Sequence, residues 1–108
     1  IRRADLDGSN IETIVSGWLP MFDVRIDSDG GKIYWTYDGI DELQRANLDG
    51  SAVETLTTRL SGPSYISLAP ADDLIWVTEF IGGEVSAVRM DGQVILTKVS
   101  DQIGIVGN

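Results

Sequence analysis

The strongest constraint on the fold is that the chain repeats itself. The segment IRRADLDGSNIETIV, starting at Ile1, aligns without gaps on LQRANLDGSAVETLT, starting at Leu43. This matches Arg3 to Arg45, Asp7-Gly8 to Asp49-Gly50 and Glu12-Thr13 to Glu54-Thr55. A third copy, VSAVRMDGQVILTKV from Val85, places Asp91-Gly92 in the same register, and both steps are 42 residues long. The same offset carries Ile33-Tyr34-Trp35-Thr36 onto Ile75-Trp76-Val77-Thr78 and Val24-Arg25-Ile26 onto Ile66-Ser67-Leu68.

Each repeat holds several short apolar runs separated by Asp-Gly or Gly-containing turns, with no window of 3.6-residue periodicity. Asp-Gly between alternating apolar runs is a strong hairpin signal. A period of about 40 to 50 residues built from short strands is the signature of a β-propeller blade. The spacing predicts an all-β chain of antiparallel four-stranded blades, two and a half of them. Residues 1–17 form half a blade (strands three and four), with strands at Ile1 to Leu6 and Ile11 to Val15. Residues 22–58 form a complete blade, with strands at Phe22 to Asp27, Lys32 to Thr36, Glu42 to Asn47 and Val53 to Thr57. Residues 64–100 form another, with strands at Tyr65 to Ala69, Leu74 to Thr78, Glu84 to Arg89 and Val94 to Val99, and residues 101–108 enter a connector. An open arc leaves apolar sheet faces wet at its ends. The chain is therefore expected to be one segment of a longer propeller or to close a ring with further copies.

Composition narrows the chemistry. With 43% hydrophobic and 23% charged residues the chain has the balance of a globular protein. No apolar run approaches the roughly 20 residues of a spanning helix, so membrane insertion is not expected. A net charge of −9, from 17 acidic and 8 basic residues, argues against a nucleic-acid surface, which needs a basic stripe. The sequence has no cysteine and no histidine. That excludes disulfides, thiolate ligands, a Ser-His-Asp triad and histidine metal ligation, and the chain is not expected to be an enzyme.

The residues Lys32-Ile33-Tyr34-Trp35-Thr36, followed by Gln44-Arg45-Ala46-Asn47-Leu48-Asp49-Gly50-Ser51 and Val53-Glu54-Thr55-Leu56, resemble the YWTD repeat of low-density lipoprotein receptor class B propellers. In that family six repeats close into a disc, in extracellular receptors and matrix proteins, so the resemblance implies a protein-binding scaffold outside the cell or at its surface. It also implies a blade-stabilising role for Tyr34, Trp35, Thr36, Arg3, Arg45, Asp7, Asp49 and Asp91, since these positions tie strands and blades together in the family. Three departures stand out. The family's aspartate after Tyr-Trp-Thr is Tyr37, with Asp38 one place later; the second copy reads Trp76-Val77-Thr78-Glu79; and the Arg3 and Arg45 position becomes Ala87.

In a meandering blade the connectors between blades and the loops between strands two and three emerge on one face, and the Asp-Gly turns on the other. The first face collects Trp18, Met21, Tyr37, Asp38, Asp41, Glu79 and Phe80. Aromatic anchors among carboxylates suit recognition of a protein or peptide carrying basic residues. The competing structural reading packs Trp18 and Met21 beneath the blade junction. Trp35 aligns with Val77 and Tyr34 with Trp76, which puts the two tryptophans on opposite strand faces, both expected in the core between blades. Asp27-Ser28-Asp29-Gly30 resembles the opening of a calcium loop, but the bidentate glutamate that completes such a loop is missing. The favoured reading is an ordinary turn with no metal or other cofactor. A calcium-dependent propeller hydrolase and a structural subunit of a surface assembly are the alternatives to the binding scaffold.

Overall fold

The computed structural model describes residues 1–17, 20–37, 39–92 and 94–99, the last six by their backbone. Strands β1 (Arg2–Arg3) and β2 (Glu12–Thr13) form a two-stranded sheet. Strands β3 (Met21–Asp27), β4 (Lys32–Tyr37), β5 (Leu43–Asn47) and β6 (Glu54–Thr57) form an antiparallel meander. A second meander contains β7 (Pro63–Ala69), β8 (Leu74–Glu79), β9 (Glu84–Arg89) and β10 (Val94–Val99). The chain is therefore all β, with two complete blades and half of a third.

The first pair of strands is shorter than its sequence suggests. Arg2 pairs with Thr13 and Arg3 with Glu12, and the ladder ends there. A two-stranded ribbon with no inner neighbour has little to extend it. Elsewhere the strands agree with the sequence reading to within a residue or two. Pro63 opens β7 two places early, at a strand's first residue, where its missing N–H costs no ladder bond. The turn after β7 contains a short 3-10 segment at Pro70–Asp72 and ends on Asp73 in the left-handed conformation. Asp73 stands one repeat after Gly31, which is also left-handed.

The core is layered between sheets. Val15, Ile33, Trp35 and Ala46 fill the junction between the half blade and the first complete blade, with Ile1, Ile14, Met21 and Tyr37 packed around them. Tyr34, Leu43, Leu60, Ile66, Ile75, Val77 and Val88 fill the junction between the two complete blades. Strand β4 separates these layers, so Ile33 and Trp35 face one and Tyr34 the other. Its run of buried residues lacks polar alternation because both its faces are covered.

Repeat-spaced contacts set the blades against one another. A Cβ added at Gly50 would lie 2.0 Å from the Ile14 carbonyl oxygen, and one at Gly92 would lie 2.2 Å from that of Leu56. These pairs are one repeat apart. The second and third Asp-Gly turns thus seat their glycines, Gly50 and Gly92, on the last strand segment of the preceding blade, an approach that only a residue without a side chain allows. Between the complete blades, the Thr36 hydroxyl donates to the Ser64 carbonyl at 2.7 Å and Ile66 N–H donates to the Asp23 carboxylate at 2.8 Å. Arg45 Nη1 donates to the Met90 carbonyl at 2.6 Å.

The two tryptophans differ in burial among the described residues. Trp35 is fully buried, whereas Trp76 remains 36% exposed. It occupies the register of Tyr34, whose face is covered by the following blade. Among the described residues no blade follows the one that carries Trp76.

Candidate functional site

The loop face is built around the hairpin between β8 and β9. Its tip, Phe80-Ile81-Gly82-Gly83, is stapled to the connector ahead of β7. Phe80 N–H donates to the Gly62 carbonyl at 2.7 Å, Gly82 N–H to that of Ser61 at 3.4 Å, and Gly83 N–H closes the turn on the Glu79 carbonyl at 2.8 Å. Beneath the tip, the Glu79 carboxylate accepts hydrogen bonds from Ser61 N–H at 2.8 Å and from the Ser86 hydroxyl. Glu79 is only 4% exposed. A buried carboxylate needs such donors to offset its desolvation.

Above this frame the apolar tip stands in solvent, with Phe80 83% and Ile81 78% exposed. Across from it, both inner strands are irregular at their loop-face ends. The register shifts between Met21 and Asp23 in β3, and between Pro63 and Ile66 in β7. Bulges re-aim side chains and recur beside binding sites. Here Phe22 and Tyr65 meet edge to face, with ring centroids 5.0 Å apart.

Between the two complete blades these elements enclose a cleft of about 260 Å³ lined by Phe22, Asp41, Gly62, Pro63, Phe80 and Ile81, among others. Gly62 contributes to its shape. The residue has a positive φ of 64°, and a Cβ there would lie 2.7 Å from the Ile81 side chain. Asp41 stands at the cleft and accepts a hydrogen bond from Gly62 N–H at 3.0 Å. A larger and more open depression of about 620 Å³ lies beside Ile1, Thr13, Val15, Met21 and Val24. It sits where the first blade has two strands rather than four, so its shape reflects an incomplete blade.

The structure thus divides the residues expected on this face. Asp41 and Phe80 come together at the cleft, and Glu79 lies under the loop that carries Phe80, where it positions backbone. Met21 and Tyr37 are half-buried against the Trp35 layer, and the Tyr37 hydroxyl lies beside Gly17. Trp18 and Asp38 lie outside the described residues. Sequence reasoning missed Phe22, Pro63 and Ile81. An apolar pair followed by Gly-Gly between two strands was the available signal for the tip.

The residues matched to the repeat motif form two kinds of link. Asp7 Oδ1 accepts from Ser9 N–H at 2.9 Å and its hydroxyl at 2.6 Å, and Asp49 repeats this with Ser51 at the same distances. These serine hydroxyl and amide bonds hold both carboxyl groups below the ordinary aspartate value. Arg3 pairs with Glu12 inside the half blade and Arg45 with Glu54 at 2.8 Å inside the next. Burial works against the Arg45 charge, yet its bonds to Tyr34 and Glu54 raise its pKa above the ordinary value. Asp91 occupies the third turn, where Gly92 N–H donates to the Arg89 carbonyl at 2.7 Å. In the Asp27 to Gly30 turn, Asp27 Oδ1 accepts from Gly30 N–H at 3.0 Å.

Blades joined in this way, with loops gathered on one face, define a β-propeller segment. No protein-family model matches the sequence. Among solved structures the chain is similar to a chain in the crystal structure of a nidogen/laminin complex, with a TM-score of 0.76 and 24% sequence identity. The match covers 91% of this chain and 40% of the other, so the present chain spans less than half the length of the chain it resembles.

Proposed function

We propose that this chain is part of a protein-binding β-propeller that receives a partner on its loop face, in an extracellular or cell-surface setting. The observation that carries the reading is the exposed pair Phe80 and Ile81 on a hairpin fixed from below by Glu79. Large apolar side chains carried on a hydrogen-bonded backbone are poised for interface burial, because the loop itself has little ordering entropy left to lose on binding. The likeness to a chain from a complex of nidogen with laminin supports a protein partner. The net charge of −9 favours partners with basic residues. The lack of histidine and cysteine supports binding rather than catalysis. The remaining blades come from further sequence or from other copies.

The test is binding of the intact protein carrying these repeats to a panel of immobilised extracellular-matrix proteins, laminin among them, and to a displayed library of linear peptides. Saturable binding that competes with a loop-face antibody is expected. Absence of binding to the whole panel and library would count against the reading.

A further inference from the structure

We infer that the cleft between the two complete blades is a receptor for one large apolar side chain of a partner protein, flanked in the partner's sequence by a lysine or arginine. This rests on the protein-binding reading and adds the chemistry of the occupant. Four observations lead to it.

The cleft is complete within the described residues, because both blades that form it have all their strands. Its lining comes from those two blades, unlike that of the depression beside the half blade. Its walls are apolar: Phe22, Pro63, Phe80 and Ile81 surround a volume of about 260 Å³, sufficient for a leucine or phenylalanine side chain but not for a folded element. On one side the Phe22 ring packs edge to face on Tyr65, and on the other hydrogen bonds hold the backbone that carries Phe80 and Ile81. Pockets of this kind, small, apolar and preorganised, are where interface hot spots insert.

The fourth observation is charge. Among the described residues, Asp41 is the one ionisable residue of the lining and no lysine or arginine lines the cleft. Its carboxylate spends one acceptor site on Gly62 N–H, out of about four that two carboxylate oxygens offer. Asp41 is exposed. A partner cation placed beside the inserted side chain therefore meets a carboxylate already held in position by the backbone, which gives register and selectivity more than raw affinity.

The experiment uses the intact protein and the displayed peptide library. Enriched peptides are expected to carry Leu, Ile, Met or Phe next to Lys or Arg, and synthetic copies should lose about tenfold in affinity when the apolar residue becomes Ser. Ile81→Ser and Phe80→Ser should weaken these peptides by a similar factor; both side chains are exposed, so an unchanged thermal melt will show that folding is intact. Asp41→Asn keeps the acceptor for Gly62 N–H and should remove the preference for Lys or Arg over Gln while leaving the preference for the apolar residue. Peptides that bind equally well to Ile81→Ser and Phe80→Ser would overturn the pocket and leave the protein-binding reading standing. Enrichment without an apolar residue, or a cation preference that survives Asp41→Asn, would overturn the stated occupant. A library that enriches nothing would count against both.

Discussion

Strands β4 and β8 occupy the same place in successive repeats, yet one has both faces buried and the other has only one. In β4, Trp35 faces the half blade and Tyr34 faces the next complete blade. In β8, Ile75 and Val77 are buried against the preceding blade, while Trp76 on the opposite face is exposed. The difference is not in the apolar character of the strands, which is similar. It lies in what stands opposite. Burial in this architecture is conferred by the neighbouring blade, and a strand's own sequence reports only what it is prepared to accept.

The pair of tryptophans offers the largest test of that contrast. In the 108-residue chain, Trp35→Ala should cost about 3–5 kcal/mol in urea denaturation, whereas Trp76→Ala should cost about 1–2 kcal/mol. Equal costs would mean that a further blade covers Trp76 in solution.

The glycine seats give the next largest effect. Gly8 and Gly50 share a positive φ, 86° and 87°, but an added Cβ meets nothing within 4 Å at Gly8 and the Ile14 carbonyl at Gly50. Alanine at either position carries the backbone cost of about 1 kcal/mol. Gly50→Ala should add about 2 kcal/mol more from the steric conflict. Equal melting temperatures for the two variants would show that the seat yields to small backbone shifts.

Smaller again is the contrast between Arg45 and Arg3. Arg45→Met keeps the apolar stem but loses the bond to the Met90 carbonyl, and should destabilise by about 1–2 kcal/mol. Arg3→Met loses an exposed pair with Glu12 and should cost under about 1 kcal/mol. A double-mutant cycle with Glu54 separates the bond within the blade from the one between blades.

The aspartate turns set a pH dependence. Because the Asp7 and Asp49 carboxyls are held below the ordinary 3.8 in the folded chain, their contribution to stability is complete above that value. It is lost as pH falls through the lower folded value, so melting temperature should drop more steeply below pH 3.8 than in a Ser9→Ala, Ser51→Ala variant. The smallest expectation is for calcium. With Asp27 engaged by Gly30 N–H, a chelator should leave the melting temperature unchanged, and a fall would point to a bound cation.

The repeat made the strand order, the hairpin turns and the division into blades legible, because each depends on local pattern and fixed spacing. The placement of Trp76 was not, since Trp-Val-Thr reads as buried strand whether or not a blade follows. Nor was the burial of Glu79. As a charged residue after an apolar strand it reads as exposed loop, and only the Ser61 and Ser86 donors, one of them distant in sequence, stabilise it inside. The cleft was half legible: Asp41 and Phe80 lie in loops that topology sends to one face. Phe22 and Pro63 belong to inner strands, and what turns them toward that face is a pair of register shifts that no periodicity announces.

The seating of Gly50 on Ile14 and of Gly92 on Leu56 also makes the repeats interchangeable parts. The hairpin tip of each unit fits the outer strand of the unit before it, and it does so through backbone atoms, which all sequences share. Lengthening or shortening such a gene by whole 42-residue units would preserve these seats, while a break that parts a tip from the unit before it would leave that tip without its strand. The joint between blades thereby favours growth by duplication and frees the loops on the opposite face to diverge.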